Sequence, residues 1–180
     1  FDTPTDVGTD NVYDVVVQVS DGSLTNTQAI AVSVTDVASH LVVVTTTSDT
    51  SDGNVSSIEA LNQNKGADGV ISLREAILAA NATFGADSIS FNIAGSGVRT
   101  ISVTAALPTI TDTVTIDGYT QTGASVNTLA VGTDAVLLIE ISGTNVSANA
   151  YGLNVYTSNS TVRGLIINDF TYAGIALNGG

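Results

Sequence analysis

The stretch NQNKGADGVISLREAILAAN, Asn62 to Asn81, decides the fold because it is a helical pattern in a chain that otherwise alternates like strands. Ser72 and Glu75 have the spacing of a capping box, in which the hydroxyl accepts from the Glu75 amide and the carboxylate reaches back to the Ser72 amide. The apolar residues that follow recur at helical spacing on one face: Leu73, Ala76, Ile77 and Ala80. The sequence therefore predicts a short amphipathic helix with one buried face.

The composition describes an acidic chain that can fill a core. Of 180 residues 43% are hydrophobic, and 17 Asp and Glu oppose 4 Lys and Arg, a formal net charge of −13. Nucleic acids and anionic membranes are poor candidates as partners, because phosphate binding requires clustered Lys and Arg. No apolar run approaches the roughly 18 residues of a membrane-spanning helix, so we expect no membrane insertion. The acidity favours divalent cations instead.

The absence of cysteine and the two ends of the chain limit the possible kinds of site and of protein further. The chain contains no Cys, which removes disulfides, thiolate metal sites and cysteine nucleophiles. It begins at Phe1 rather than Met and stops at Gly180 within a strand-like pattern. We therefore expect it to be part of a longer protein.

Residues 1–39 contain two strands joined by a tight turn. NVYDVVVQVSDGSL alternates Val on one face, Asp21 and Gly22 mark a turn, and TQAIAVSVTDV resumes the alternation. These strands resemble the C-terminal strands of cadherin-like, immunoglobulin-type domains of large bacterial surface proteins. The resemblance implies an incomplete sandwich whose strands lack the facing sheet.

Beyond the helix, short strands recur at regular intervals. Phe91, Ile116, Ile141 and Ile167 follow one another at spacings of 25, 25 and 26 residues. A second series places Leu153 and Ile175 22 residues apart. Such periods are typical of a β-solenoid, with a β-sandwich as the alternative. We expect the helix to cover the open end of the first coil, where an apolar lumen and a strand edge would otherwise face water.

The motif GVISLREAILAAN, followed by GADSISFNI, LPTITDTVTIDGYTQ and VRGLIINDF, closely resembles the secreted bacterial family named for its Cys-Ser-Leu-Arg-Glu-Ala motif. The resemblance runs from about Leu41 to Gly180, with Ile71 where the family name has Cys. It implies a right-handed parallel β-helix and an extracellular or cell-surface setting.

The predicted fold class is accordingly all-β: a right-handed parallel β-helix with an N-terminal capping α-helix, preceded by a partial immunoglobulin-like β-sandwich segment. Three segments are predicted. Residues 1–39 are the incomplete cadherin-like part, 40–87 hold the first strand, an acidic loop and the capping helix, and 88–180 form the parallel coils.

An acidic stretch around the helix start offers a calcium site. Asn64, Asp68 and Glu75 fall close to the spacing of an EF-hand loop, with SSIEALNQN as the preceding helix. Asp49 and Asp52 form a looser acidic loop that joins them if the chain folds back. An Asp-Gly turn followed by the capping box explains the same residues without metal, so both readings stay open. Apart from calcium, the sequence predicts no cofactor.

Catalytic chemistry is not predicted in this stretch of chain. His40 is the only histidine and is predicted to be a surface or linker residue. Glycosidases need two carboxylates about 5–10 Å apart. When the repeats are aligned, Asp117 falls with Ser142 and Asn168, and no second carboxylate falls with Glu140.

The sequence thus predicts a non-enzymatic structural or adhesive module of a large secreted or cell-surface protein, such as a stalk, adhesin, matrix or filament component. The alternative is a carbohydrate-active β-helix, a polysaccharide lyase or glycoside hydrolase, with its site in coils outside this chain. Predicted partners are a second copy bound head to tail, or surface carbohydrate or protein. The predicted location is extracellular.

Overall fold

A computed structural model describes residues 12–33, 40–146 and 149–178. The chain divides into two compact units, Phe1–Val37 and Ala38–Gly180. The second unit contains both the helical segment and the later strands.

The first unit is a β-hairpin. Strand β1 (Val12–Ser20) pairs antiparallel with β2 (Thr25–Ser33). The turn forms because the Asp21 carboxylate accepts from the amides of Ser23 and Leu24, at 2.9 and 2.7 Å. The predicted hairpin is confirmed, and its described side chains, residues 15–31, are exposed. The predicted residues 34–39 lie outside the described part of the chain.

In the described part of the second unit, two helices follow the first strand. Helix α1 (Ile58–Gln63) is capped by the Ser57 side chain, and α2 (Leu73–Ala82) begins with the predicted capping box. The Thr83 hydroxyl accepts from the Ile58 amide and donates to the Ala79 carbonyl, each at 2.8 Å. One hydroxyl therefore ties the start of α1 to the last turn of α2.

The described residues of the second unit also form one 3-10 turn, Gly118–Thr120, and nine short strands. In chain order they are β3 (Leu41–Val44), β4 (Asp87–Phe91), β5 (Arg99–Ser102), β6 (Val114–Asp117), β7 (Ile139–Ser142), β8 (Tyr151–Val155), β9 (Thr161–Arg163), β10 (Leu165–Asn168) and β11 (Ala173–Leu177). They form three parallel sheets, ordered β3-β4-β6-β9, β10-β7-β5 and β11-β8.

Sheets and helices share one hydrophobic core. Alternate strand residues point inward, as in β4, where Ile89 and Phe91 are buried while Ser88 is exposed. The helices add Leu61 and Leu73, both fully buried, to the same cluster. Complete burial of one such side chain contributes about 1.5–3 kcal/mol relative to exposure, so the helices belong to the core.

The predicted fold class, an all-β chain built on one right-handed parallel β-helix, is wrong. The described strands form four separate small sheets, three parallel and one antiparallel, and two helices contribute to the core. In the first unit the structure describes only a two-stranded hairpin rather than sandwich layers.

The error arose from treating one period as one stack of strands. Phe91 and Ile116 lie in the four-stranded sheet, whereas Ile141 and Ile167 pair in the three-stranded sheet. A period reports how often strands occur, but partners are chosen by the length and path of the connections, which the spacing does not contain. The shorter series was read correctly, since Leu153 and Ile175 are paired.

Candidate functional site

The carboxylate of Glu75 is buried and accepts four hydrogen bonds. Oε2 takes the amide and the hydroxyl of Ser72, at 2.9 and 3.0 Å. Oε1 takes the amides of Asp52 and Gly53, both at 2.8 Å. The Ser72 half was predicted as a capping box, while the second half joins α2 to a loop more than twenty residues earlier. Because a buried carboxylate must be compensated, these donors fix the loop against the helix.

Glycine at position 53 leaves room for this contact. A Cβ there would lie 2.7 Å from Leu61 Cδ1 and 3.1 Å from Glu75 Oε1. A side chain at this position would have to displace Leu61 or Glu75, so the close approach of the loop backbone favours glycine.

Asp49 and Arg74 form a second link from the same helix. The guanidinium donates twice to the carboxylate, at 3.0 and 2.9 Å, and the Thr104 amide and hydroxyl donate to Asp49 Oδ2 at 2.8 Å. Arg74 also donates to the carbonyls of Ala105 and Ala106. Burial opposes ionisation of Asp49, but the hydrogen bonds from Arg74 and Thr104 outweigh it and lower the pKa of this carboxyl. The pair fastens α2 to the segment after β5.

The two acidic loops meet, as the calcium hypothesis required. The Asn54 amide donates to the Asn64 carbonyl at 2.9 Å, and the Ala67 amide donates to Asp52 Oδ2 at 2.8 Å. The first contact joins two backbone groups, whereas the second is accepted by the Asp52 carboxylate, so one predicted calcium ligand already holds the loops together.

The predicted calcium ligands have other partners in this arrangement. Asp68 Oδ1 accepts from the Val70 amide at 3.0 Å. Asp49 is paired with Arg74, and both carboxylate oxygens of Glu75 already accept hydrogen bonds. Within residues 12–33, 40–146 and 149–178, no three acidic or histidine side chains are placed to hold a metal ion together. Calcium binding by Asn64, Asp68, Glu75, Asp49 and Asp52 stays a prediction.

His40 has a buried partner that the sequence did not reveal. Its Nδ1 lies 2.7 Å from Asp87 Oδ1, and the Asp87 side chain is fully buried while that of His40 is 38% exposed. Burial raises the pKa of the Asp87 carboxyl, against the effect of His40. Asp87 Oδ2 has no partner among the described residues. His40 therefore anchors the start of β3 to β4 rather than serving only as a linker, and no local signal connects residues 47 positions apart.

One open groove of about 530 Å³ lies between the end of β3 and β5. It is lined by Thr45, Thr46, Thr47, Ile93, Ala94, Gly95, Ser96, Val98, Arg99 and Thr100. Arg99 is the ionisable residue of this lining, and its guanidinium donates to the carbonyls of Ile93, Gly95 and Gly97. The Arg99 guanidinium thus fixes the loop of residues 93–97 by hydrogen bonds. The other residues of the lining carry hydroxyl or apolar side chains or are glycine.

Polar side chains also cross between neighbouring parallel strands. In the three-stranded sheet Glu140 on β7 accepts from Thr100 on β5 and, at 2.8 Å, from Asn168 on β10. These two hydrogen bonds lower the pKa of Glu140. In the four-stranded sheet Arg163 on β9 donates to Asp117 on β6 at 2.7 Å. The predicted alignment of Asp117 with Ser142 is wrong, because Asp117 pairs with Ser90 and Arg163.

The third sheet has the same kind of connection. Asn178, just after β11, donates to Asn154 on β8 at 2.7 Å, and Asn154 donates to Thr109 at 3.3 Å. We call the contacts made by Glu140, Asp117 and Asn154 the cross-strand ties. Each described parallel sheet carries at least one of them.

Comparison of the chain with protein-family models, with curated proteins and with solved structures gave no match. The resemblance to the Cys-Ser-Leu-Arg-Glu-Ala family therefore stays a prediction. No helix in the described part of the chain combines the length and apolarity needed to cross a lipid bilayer.

Proposed function

We propose that this chain is a non-catalytic structural and adhesive module of a secreted or cell-surface protein, acting as a spacer. The observation that carries the proposal is the set of cross-strand ties. The ties of Glu140 and Asp117 run from strand to strand, and that of Asn154 runs from β8 to the residue after β11. This is the direction in which a sheet grows, so the ties act alongside the backbone hydrogen bonds when the sheet is pulled in that direction.

The position of the ties on the surface supports the same function. Glu140 connects three strands through one carboxylate, with Thr100 and Asn168 on its two sides. Arg163 is 57% exposed, so its contact with Asp117 lies at the solvent boundary and not in the core. Such contacts add little to the free energy of unfolding in water. They resist separation of neighbouring strands, which is the requirement on a spacer.

Force spectroscopy on the full chain tests this proposal. Glu140→Ala removes a tie, so the force that unfolds the second unit should fall. Glu59→Ala is the matched control, because its carboxylate accepts from Gln63 within α1 and joins no strands. Equal unfolding forces for wild type and Glu140→Ala would contradict the spacer.

A second arm addresses the carbohydrate-active alternative. The full chain is incubated with acidic and neutral polysaccharides, and new reducing ends or unsaturated products are measured. We expect none. Release of product above a heat-denatured control would overturn the non-catalytic proposal.

Self-association is part of the same proposal. The hairpin of the first unit has apolar residues on exposed strands, including Val16 at 65% and Val19 at 68% exposure. Exposed apolar sheet faces of this kind are covered by binding another chain, and a second copy of this chain is the partner in the predicted head-to-tail association. Light scattering should show a mass that rises with concentration, and a monomer at every concentration would rule this part out.

A further inference from the structure

Two tyrosine rings lie against each other on the surface of the parallel sheet formed by β8 and β11. Tyr151 opens β8, and Tyr172 directly precedes β11, whose Ala173 pairs with Tyr151. The ring centroids are 5.2 Å apart and the planes are inclined by 46°. The residues remain 36% and 57% exposed. We call them the tyrosine pair.

The backbone beneath the tyrosine pair is fixed. The Thr171 hydroxyl accepts from the amides of Asn149 and Ala150, at 2.8 and 3.1 Å. The Tyr172 amide donates to the Ala150 carbonyl at 3.1 Å. Next to Tyr151, a Cβ at position 152 would lie only 2.4 Å from the Gly174 carbonyl oxygen, so the two strands are in close contact. The backbone that carries the two rings is consequently held in place before any ligand binds, which lowers the entropy cost of binding.

The chemistry of the tyrosine pair selects a class of ligand. Exposed tyrosines combine a large apolar ring with a polar hydroxyl and are enriched at binding surfaces. Neither phenol hydroxyl has a hydrogen-bond partner among the described residues. A pyranose ring is complementary, because it offers a face of C–H groups to an aromatic ring and hydroxyls at its rim. The net charge of −13 repels polyanions, which favours an uncharged glycan.

We propose that Tyr151 and Tyr172 form a binding site for a neutral polysaccharide, with a sugar ring stacked on the tyrosine pair. The inference rests on the proposed adhesive function and names its partner. Binding leaves the glycan intact, so no bond is made or broken.

The experiment uses the full chain and two neutral probes, cellohexaose and mannohexaose, with hexagalacturonate as the acidic probe. The chain has five Tyr and no Trp, so its intrinsic fluorescence reports on tyrosine. Fluorescence titration and saturation-transfer NMR should show saturable binding of a neutral probe and none of the acidic one. Absence of saturable binding by both neutral probes overturns the inference.

Three variants separate stacking from general effects. Tyr172→Ala should weaken binding about tenfold or more, since truncation of a central aromatic residue typically costs that much. Tyr172→Phe keeps the ring and should retain most of the affinity. Tyr156→Ala is the matched control, because Tyr156 is also exposed, at 55%, but lies outside the pair. Circular dichroism confirms that each variant is folded.

The remaining outcomes are equally decisive. An equal loss in Tyr156→Ala and Tyr172→Ala overturns the inference, as does competition by a proline-rich peptide that binds the pair more tightly than either neutral glycan. Failure of glycan binding with a reduced unfolding force for Glu140→Ala removes this inference alone. If glycan binds but Glu140→Ala unfolds at the same force as wild type, the spacer proposal is contradicted and the glycan site stands.

Discussion

The region of α1, α2, β3 and β4 and the region of β9, β10 and β11 contain similar strands in different environments. In the first region Val42 and Val44 of β3 are fully buried under the helices. In the second, Ile175 and Leu177 of β11 are 42% and 76% exposed, and β10 is half-buried throughout. Strand sequence alone does not decide burial; a covering element does. The helices turn one set of apolar strands into a core, and the other set stays available for contact.

The largest expected effect tests the covering helix. Leu73 is fully buried at the start of α2, so Leu73→Asp places a charge in an apolar contact and should lower the free energy of unfolding by roughly 3 kcal/mol or more. Urea unfolding followed by circular dichroism measures it. Leu177→Asp is the control in the other region, where 76% exposure predicts a change within about 0.5 kcal/mol. Equal losses would abolish the distinction between the regions.

A smaller effect is expected when Glu75 loses its charge. Glu75→Gln keeps the shape but presents an amide N–H₂ to donors that need an acceptor, which should cost about 2 kcal/mol. The comparison variant is Glu140→Gln at the surface, where water replaces the lost partner and the loss should be much smaller. Chemical unfolding of both variants is the measurement, and a Glu75→Gln protein as stable as wild type would show that the carboxylate does not hold the loop.

Asp49 gives a pH-dependent effect. Because its folded pKa is lowered, its contribution is present above the unfolded value and is lost as pH falls from about 5 through the folded pKa. Asp49→Asn should cost about 1 kcal/mol at pH 7 and progressively less in acid. Unfolding curves collected between pH 7 and pH 3 test this, and a difference that stays constant with pH would contradict it.

Asp87 should show the opposite sign in the same experiment. Its folded pKa is raised by burial, so its stabilising contribution is present below the unfolded value and is lost as pH rises through the folded pKa. Relative to wild type, Asp87→Asn should therefore become more favourable as pH rises. If the free energies of unfolding of the two variants changed with pH in the same direction, the different surroundings of the two carboxylates would have no effect on their pKa values.

The smallest effect is expected at the tie between β6 and β9. Arg163 hydrogen-bonds to Asp117, which raises the pKa of the guanidinium, but the side chain is largely in water. Arg163→Gln should leave the urea midpoint unchanged within error, in low salt and in 1 M salt alike. A clear loss at low salt that disappears at high salt would mean that this region depends on its surface charges more than the exposure suggests.

What the sequence could predict was local. Ser72 and Glu75 are three residues apart, and Asp21 is adjacent to its turn, so their patterns contain the whole interaction. The link from Glu75 to Asp52 and the pairing of His40 with Asp87 depend on how distant segments return to each other, and no short pattern encodes that. The prediction of a single stack of strands failed for the same reason, because regular spacing does not determine which strands become neighbours.

The separation of His40 from Asp87 has a consequence for the order of folding. The hairpin of β1 and β2 closes over a four-residue turn and can form within about 1–10 μs. Strand β3 must wait for β4, 47 residues later, with both helices inside the loop to be closed. At a synthesis rate of about 5–20 residues per second, roughly 2–9 s pass between the appearance of the two strands. For that interval the native partner strand of the apolar segment LVVV does not yet exist, and a chaperone or a neighbouring nascent chain can reach the segment first.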